Sequence, residues 1–165
     1  MLKSENQIKY ERVWAMPNAR TFQIKPISQL ILQEFNDYCC VDPFPFEAKI
    51  DCFDFFKEFK DNSVKQLALD PPYTKRQVSE HYKKNGGKCT GWHTSSGWTA
   101  KVKDEVARIM KPGGKVISFG YNTCGIGKTR GFEITRILDV CHGGDHYDTL
   151  CTVEVKNSTT DYLKC

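Results

Sequence analysis

Three short apolar runs, each closed by residues that end a strand, constrain this chain more than any other feature. Tyr38-Cys39-Cys40-Val41 meets Asp42-Pro43, Leu67-Ala68-Leu69 meets Asp70-Pro71, and the segment Lys115 to Phe119 opens onto Gly120. Apolar runs of this length, bounded by proline and glycine, read as buried strands. Helical patterns lie between them. Pro26 suits a first helical turn, and Ile27, Leu30, Ile31 and Phe35 follow at helical spacing. Asp51 to Phe59 carries a stripe of phenylalanines at 53, 55, 56 and 59, expected to serve the core. Trp98 to Met110 places Val102, Val106, Ile109 and Met110 on one face and stops at Lys111-Pro112-Gly113-Gly114. Two β-rich segments, Phe132 to Cys141 and Thr149 to Val155, close the chain as a long hairpin around the glycine-containing stretch 142–148. Strand and helix alternation with a terminal hairpin predicts an α/β fold, a mostly parallel sheet with an antiparallel C-terminal hairpin. In such sheets ligands lie beyond the carboxyl ends of the strands, where Asp42, Asp70 and Gly120 all fall.

At 165 residues the chain is the size of one domain, expected to span 1–165 with loose termini at 1–13 and 157–165. Trp14 to Asn18 reads as a loop, Thr21 to Ile24 as a short extended piece, and 74–97 as a long polar loop. The polar N-terminus and the lack of a long apolar run predict a soluble, cytoplasmic protein with no membrane partner. Eight cysteines without a Cys-x-x-Cys spacing predict free thiols, several of them buried. The net charge is +4, but the stretch from Thr74 to Lys103 alone carries seven basic residues against the single acid Glu80. Such a segment is either a solvated loop or a phosphate-neutralising surface.

Asp70-Pro71-Pro72-Tyr73 carries the most specific chemistry. A carboxylate accepts hydrogen bonds, and the carbonyl between two prolines is an acceptor with no neighbouring N–H donor. Tyr73 adds an aromatic face. Together they suit a flat ring bearing an amine, whereas the plainer alternative is a proline-rich turn with Asp70 as a cap. Other clusters are weaker. His142, Asp145, His146 and Asp148 resemble metal ligands but fit a polar hairpin loop, and no metal is expected. Gly125-Ile126-Gly127-Lys128-Thr129 lacks the leading glycine of a phosphate-binding loop, because Asn122 stands there. It is expected to shape the rim of the site. Trp92 and Trp98 fit either base stacking or anchoring of the loop.

From Trp14 to Lys156 the chain resembles the amino-methyltransferases of DNA, and in particular small phage-type adenine methylases. The resemblance rests on four segments in the family's order: Thr21-Phe22-Gln23-Ile24-Lys25-Pro26, Val41-Asp42-Pro43-Phe44, Asp70-Pro71-Pro72-Tyr73 and Lys111-Pro112-Gly113-Gly114 with the strand after it. It implies a Rossmann-like, abbreviated methyltransferase sheet and transfer of a methyl group from S-adenosylmethionine to the exocyclic amine of adenine in double-stranded DNA. It assigns catalysis to Asp70, Pro71, Pro72 and Tyr73. Cofactor contacts fall to Thr21, Phe22, Lys25, Asp42, Pro43, Phe44 and Asp51. Nucleic-acid contacts are expected from Lys75, Arg76, Lys83, Lys84, Lys88 and Trp92. Pro45-Phe46 stands where the family has a small residue and a glycine. Only 27 residues separate Asp42 from Asp70, too few for the family's second strand, so Glu47 is a candidate replacement for the ribose ligand. Such a chain is also expected to complete its site as a homo-oligomer. Two alternatives keep part of this reading: a DNA-binding module without activity, and an S-adenosylmethionine-using enzyme that does not act on DNA.

Overall fold

The computed structural model describes residues 7–35, 41–44, 51–84, 86 and 89–158. Among these residues five strands form one sheet: β1 (Lys9–Trp14), β2 (Val64–Leu69), β3 (Met110–Gly120), β4 (Phe132–Cys141) and β5 (Thr149–Lys156), in the order β1-β4-β5-β3-β2. β1 is parallel to β4 and β2 to β3, while β5 runs against both of its neighbours, β3 and β4. The other four strands therefore share one direction. This is the fold class expected: α/β, mostly parallel, with an antiparallel C-terminal hairpin. Val41 adds a parallel bridge to Leu67 outside β2, so Asp42 follows a strand-like residue beside the end of β2.

Side chains alternate across the strands and feed two cores. Leu67, Leu69 and Val116 point into one and Ala68, Ile117 and Phe119 into the other. The second core is covered by α1 (Lys25–Glu34), which starts with proline in its first turn and buries Ile27, Leu30 and Ile31. The first is covered by α2 (Cys52–Lys57) and α4 (Ser96–Ile109). Trp98, Val102, Val106 and Ile109 are all buried along α4. Each such side chain stabilises the fold by about 1.5–3 kcal/mol. Ser95 caps α4 by accepting from the Trp98 N–H at 3.2 Å, and Asp51 caps α2 by accepting from the Phe53 N–H at 2.8 Å. The phenylalanines of 53–59 do join this core.

Several expectations are corrected. The stretch 74–97 is not one loop: it contains α3 (Lys75–Lys84) and a 3-10 turn over Gly91–Thr94. Residues 9–13, expected in a loose terminus, and Trp14, expected to open a loop, form β1, because their backbone pairs with β4. Thr21–Gln23 is a 3-10 turn rather than an extended piece. Lys111 to Gly114 lie within β3, where they bulge out between the pairs Val64–Met110 and Gln66–Lys115. Gly113 has φ +76 there, and a Cβ on Gly114 would come within 2.8 Å of the Lys111 carbonyl oxygen. Among the described residues between Val41 and β2 there is one helix and no further strand. Tyr38, Cys39, Cys40, Pro45, Phe46, Glu47, Lys88 and the tail from 159 onward lie outside the described residues. Cys52, Cys89, Cys124, Cys141 and Cys151 are free thiols, with Cys52 and Cys151 buried. No helix among the described residues is long and apolar enough to cross a membrane.

Candidate active site

β2 delivers Asp70 to the carboxyl edge of the sheet, and Pro71-Pro72 then ends the ladder because proline has no N–H to donate. The chain turns at once into α3. Tyr73 and Thr74 donate their N–H groups to Gln77 Oε1 at 2.9 and 3.1 Å, and Gln77 N–H returns a bond to Thr74 Oγ1 at 3.2 Å. This reciprocal cap fixes the direction in which the motif faces. Within it, the Tyr73 hydroxyl donates to Asp70 Oδ1. Burial pushes the Asp70 carboxyl up, against the opposing bonds from Thr21 and Tyr73. Burial and the adjacent Asp70 charge push the Tyr73 phenol up as well.

Asp42 reaches the same place from the neighbouring segment. Val41 N–H donates to the Gln66 carbonyl at 3.1 Å and its carbonyl accepts from Ala68 N–H at 2.9 Å. Asp42 Oδ1 then accepts the Phe44 N–H at 2.8 Å. Burial pushes the Asp42 carboxyl up to about 6; the Asp70 charge adds to the rise and the Phe44 N–H opposes it. Two desolvated acids thus follow the ends of neighbouring segments at the edge of the sheet, near enough for the charge of Asp70 to act on Asp42. Among the described residues neither forms an ion pair with a lysine or arginine.

Two cavities share the wall Pro71-Pro72-Tyr73. The larger, about 430 Å³, is completed by Thr21, Asp70, His81 and Lys84. The smaller, about 260 Å³, lies toward α4 and is lined by Thr99, Lys103, Ser118, Gly120 and Asn122 as well. A proline-walled turn with a separate cavity on each side can hold two reactants that meet across it.

The structure distributes the other expected site residues unevenly. Thr21 lines the larger cavity next to Asp70 and Tyr73. Phe22 packs tilted against Phe119 in the second core, ring centres 5.3 Å apart, and Lys25 is exposed at the start of α1. Pro43 and Phe44 are buried, and the Phe44 ring packs edge-on against Trp98 at 5.9 Å and His81 at 6.1 Å. Phe44 therefore fills core space. Both oxygens of Asp51 are engaged, one by the Phe53 N–H and the other by the Tyr82 hydroxyl at 2.8 Å. That bond ties α3 to the start of α2, and burial, with the Asp51 bond, pushes the Tyr82 phenol up.

Lys75, Arg76, Lys83 and Lys84 are exposed on α3, opposite Val78 and Tyr82, which face inward. Arg76 is bonded to Glu80 at 2.8 Å. Trp92 is half exposed, and its ring lies so close to Gly97 that a Cβ there would come within 2.8 Å of it. Trp98 is a core residue.

Three features escaped the sequence reading. Glu154, a lone acid in the apolar strand β5, is fully buried and accepts the N–H groups of Ile126 and Gly127 at 2.7 and 3.0 Å. It holds the loop that forms the rim of the smaller cavity. Its signal in the sequence was the charge itself, inside an otherwise apolar run. Tyr121 and Tyr147 extend from Tyr73 as a row of rings, and only the fold brings them together. The ligand atoms of Asp139, Cys141 and Asp148 lie within 4.8 Å of one another. The Arg12 guanidinium already supplies the positive charge there, 3.3 Å from both carboxylates. His142 is a structural pin: Nδ1 donates to the Ala15 carbonyl and Nε2 accepts from Thr149 Oγ1, each at 2.9 Å.

No family model and no curated protein matches the chain. Among solved structures, the fold is similar to a methyltransferase in complex with the Haloferax volcanii Trm112 methyltransferase activator, with 13% identity and a TM-score of 0.36 over 72% of this chain. It is also similar to the antibiotic-resistance methyltransferase Kmr, with 17% identity and a TM-score of 0.33 over 58% of this chain. The matched regions cover 60% and 52% of those two chains.

Proposed function

We propose that this chain transfers a methyl group from S-adenosylmethionine to the exocyclic amine of adenine in DNA. One observation carries the reading: the Pro71-Pro72-Tyr73 wall is shared by two cavities, the desolvated Asp70 lines the larger, and Asp42, also desolvated, is near enough for the Asp70 charge to raise its carboxyl. Two carboxylates in that state favour a cationic ligand, which lowers the cost of keeping both ionised. S-adenosylmethionine, with its ammonium and sulfonium charges, fits this donor set, and Thr21, Asp42 and Asp70 are the residues that would hold it. When bound, it supplies an electrophilic methyl group.

The chain's own residues then act on the amine. An aromatic amine is a poor nucleophile because its lone pair is delocalised into the ring. Asp70 and the Pro71 carbonyl are acceptors for its two hydrogens, and drawing them out of plane localises the lone pair. Tyr73 contributes a ring against which the extruded base rests, offsetting part of the few kcal/mol that extrusion costs. Holding both reactants across one turn supplies about 7–11 kcal/mol of barrier reduction when their geometry is productive. The basic face of α3, bordering the larger cavity at Lys84, would neutralise phosphates of the bound strand.

Calorimetry with S-adenosylmethionine, followed by transfer of a tritiated methyl group to unmethylated adenine-containing DNA, tests the proposal. Expected are saturable cofactor binding and label in N6-methyladenine, both lost in Asp70→Ala. Undetectable cofactor binding at millimolar concentration overturns it. A second reading is favoured by Phe44 and Asp51, whose packing and paired oxygens already occupy part of the expected cofactor side. On that reading the chain binds DNA through the same turn and helix without methylating it, so salt-sensitive DNA affinity appears without transfer.

A further inference from the structure

Tyr73, Tyr121 and Tyr147 follow the carboxyl ends of β2, β3 and β4 and form one continuous row. The Tyr73 and Tyr121 ring centres are 4.9 Å apart at 66°, and those of Tyr121 and Tyr147 are 5.1 Å apart at 43°. Exposure increases outward, with Tyr121 39% and Tyr147 76% exposed. A ring that exposed gains little from burial, so folding alone gives it slight reason to be aromatic.

Its backbone is nonetheless held in place. On one side His142 is pinned between Ala15 and Thr149, and on the other Asp148 bonds Arg12 at 3.3 Å. Gly143 and Gly144, at φ +68 and +56, make the left-handed turn, and His146 N–H closes it onto the Gly143 carbonyl at 3.2 Å. A flat face carried on an anchored turn is pre-organised, so little ordering cost is incurred when a ligand stacks on it.

We propose that Tyr121 and Tyr147 are a stacking platform for the unpaired bases next to the reactive adenine, so that the preferred substrate is a nucleic-acid strand already single-stranded there. This rests on the function proposed above. Charge complementarity favours a nucleic acid as the occupant. The tyrosine row starts at Tyr73, and α3, with its exposed Lys75, Arg76, Lys83 and Lys84, starts two residues further along the same turn. One strand crossing the turn meets cations with its phosphates and rings with its bases.

The test is fluorescence anisotropy with a labelled single-stranded oligonucleotide carrying one central adenine, on the native chain and on Tyr147→Ala, Tyr147→Phe and Lys83→Glu/Lys84→Glu. Melting temperature and S-adenosylmethionine affinity are measured alongside. Tyr147→Ala is expected to weaken oligonucleotide binding at least about five-fold, with Tyr147→Phe near native and both the melting temperature and cofactor affinity unchanged. Native affinity in Tyr147→Ala, with binding lost in the lysine variant, overturns the platform and leaves the proposed function standing. Equal weakening by Ala and Phe also overturns it, because the ring is then not what binds. A native chain that binds the oligonucleotide through Tyr147 but transfers no methyl group supports the platform while the methyl-transfer reading falls. No binding by the native chain overturns both.

Discussion

Glu154→Ala should destabilise the fold by about 2–6 kcal/mol, because it orphans two buried donors at once. Its carboxylate accepts Ile126 N–H at 2.7 Å and Gly127 N–H at 3.0 Å, and the side chain is fully buried. Each N–H left without an acceptor costs about 1–3 kcal/mol. Glu154→Gln keeps the shape and one acceptor but turns an amide NH₂ toward the other N–H, so about 1–3 kcal/mol is expected. Urea unfolding checks both. At a slope of about 1–3 kcal/mol per molar, a 3 kcal/mol loss moves the midpoint down by about 1–3 M with the slope unchanged. The pH dependence has a definite sign. Burial raises the folded-state pKa of Glu154 more than the two N–H bonds lower it. Its contribution to stability is therefore fully present below its unfolded pKa and is lost as pH rises through the raised folded value. The native chain's advantage over Glu154→Gln should accordingly be largest in acid and shrink toward neutrality. A midpoint in Glu154→Ala within about 0.3 M of native would show that the loop does not depend on this carboxylate, and a growing advantage with pH would refute the electrostatic argument.

Cofactor affinity should rise as pH increases through about 6, where Asp42 ionises, and lose that dependence in Asp42→Asn; calorimetry between pH 5 and 8 reads this. Trp98→Ala removes the ring against which Phe44 and Phe53 pack and should cost about 3–5 kcal/mol by urea unfolding, with Trp98→Phe recovering most of it. Gly125→Ala should prevent stable folding, since its Cβ would overlap the buried Glu154 carboxylate at a φ of +48; the soluble yield and the circular dichroism spectrum test this.

β2 and β3 were legible because the apolar runs Leu67-Ala68-Leu69 and Lys115 to Phe119 end at Asp70-Pro71 and Gly120, which the sequence itself supplies. The edge strand β1 was not. In Lys9-Tyr10-Glu11-Arg12-Val13-Trp14, Val13 is the one residue packed against the core, and the strand exists because β4 pairs with it from more than a hundred residues away. Helix α3 was hidden for a related reason. Val78 and Tyr82 are its two buried residues, too few to give a period, and what holds it are the Gln77 cap and the Tyr82–Asp51 bond. In the site, Thr21 was read as extended and lies in a 3-10 turn, whereas Asp42 and the Asp70-to-Tyr73 turn were readable as residues beyond strand ends. Phe44 read the same way, yet its neighbours Trp98 and His81 come from distant segments and draw it into the core. Local sequence carries cap and turn chemistry well but carries no record of which ring meets which.

The Tyr73–Asp70 bond bears on how such a site can discriminate. With the Asp70 oxygen already accepting an O–H, an incoming amine replaces one hydrogen bond by another, and the net gain at that atom is small. Discrimination must then come from the second acceptor, the Pro71 carbonyl, and from the rings released or offered when Tyr73 moves. A single-donor ligand would exchange with Tyr73 and gain nothing further. An amine with two hydrogens engages both acceptors, which is the chemical difference between an amine and a hydroxyl at the same position. Raising Asp70 by burial sharpens this, since a carboxyl kept out of water is stabilised as an anion only by the donors that reach it, and Thr21 and Tyr73 are the donors present. The pair of prolines therefore does more than stop a strand: the Pro71 carbonyl adds an acceptor beside the Asp70 oxygen that Tyr73 uses.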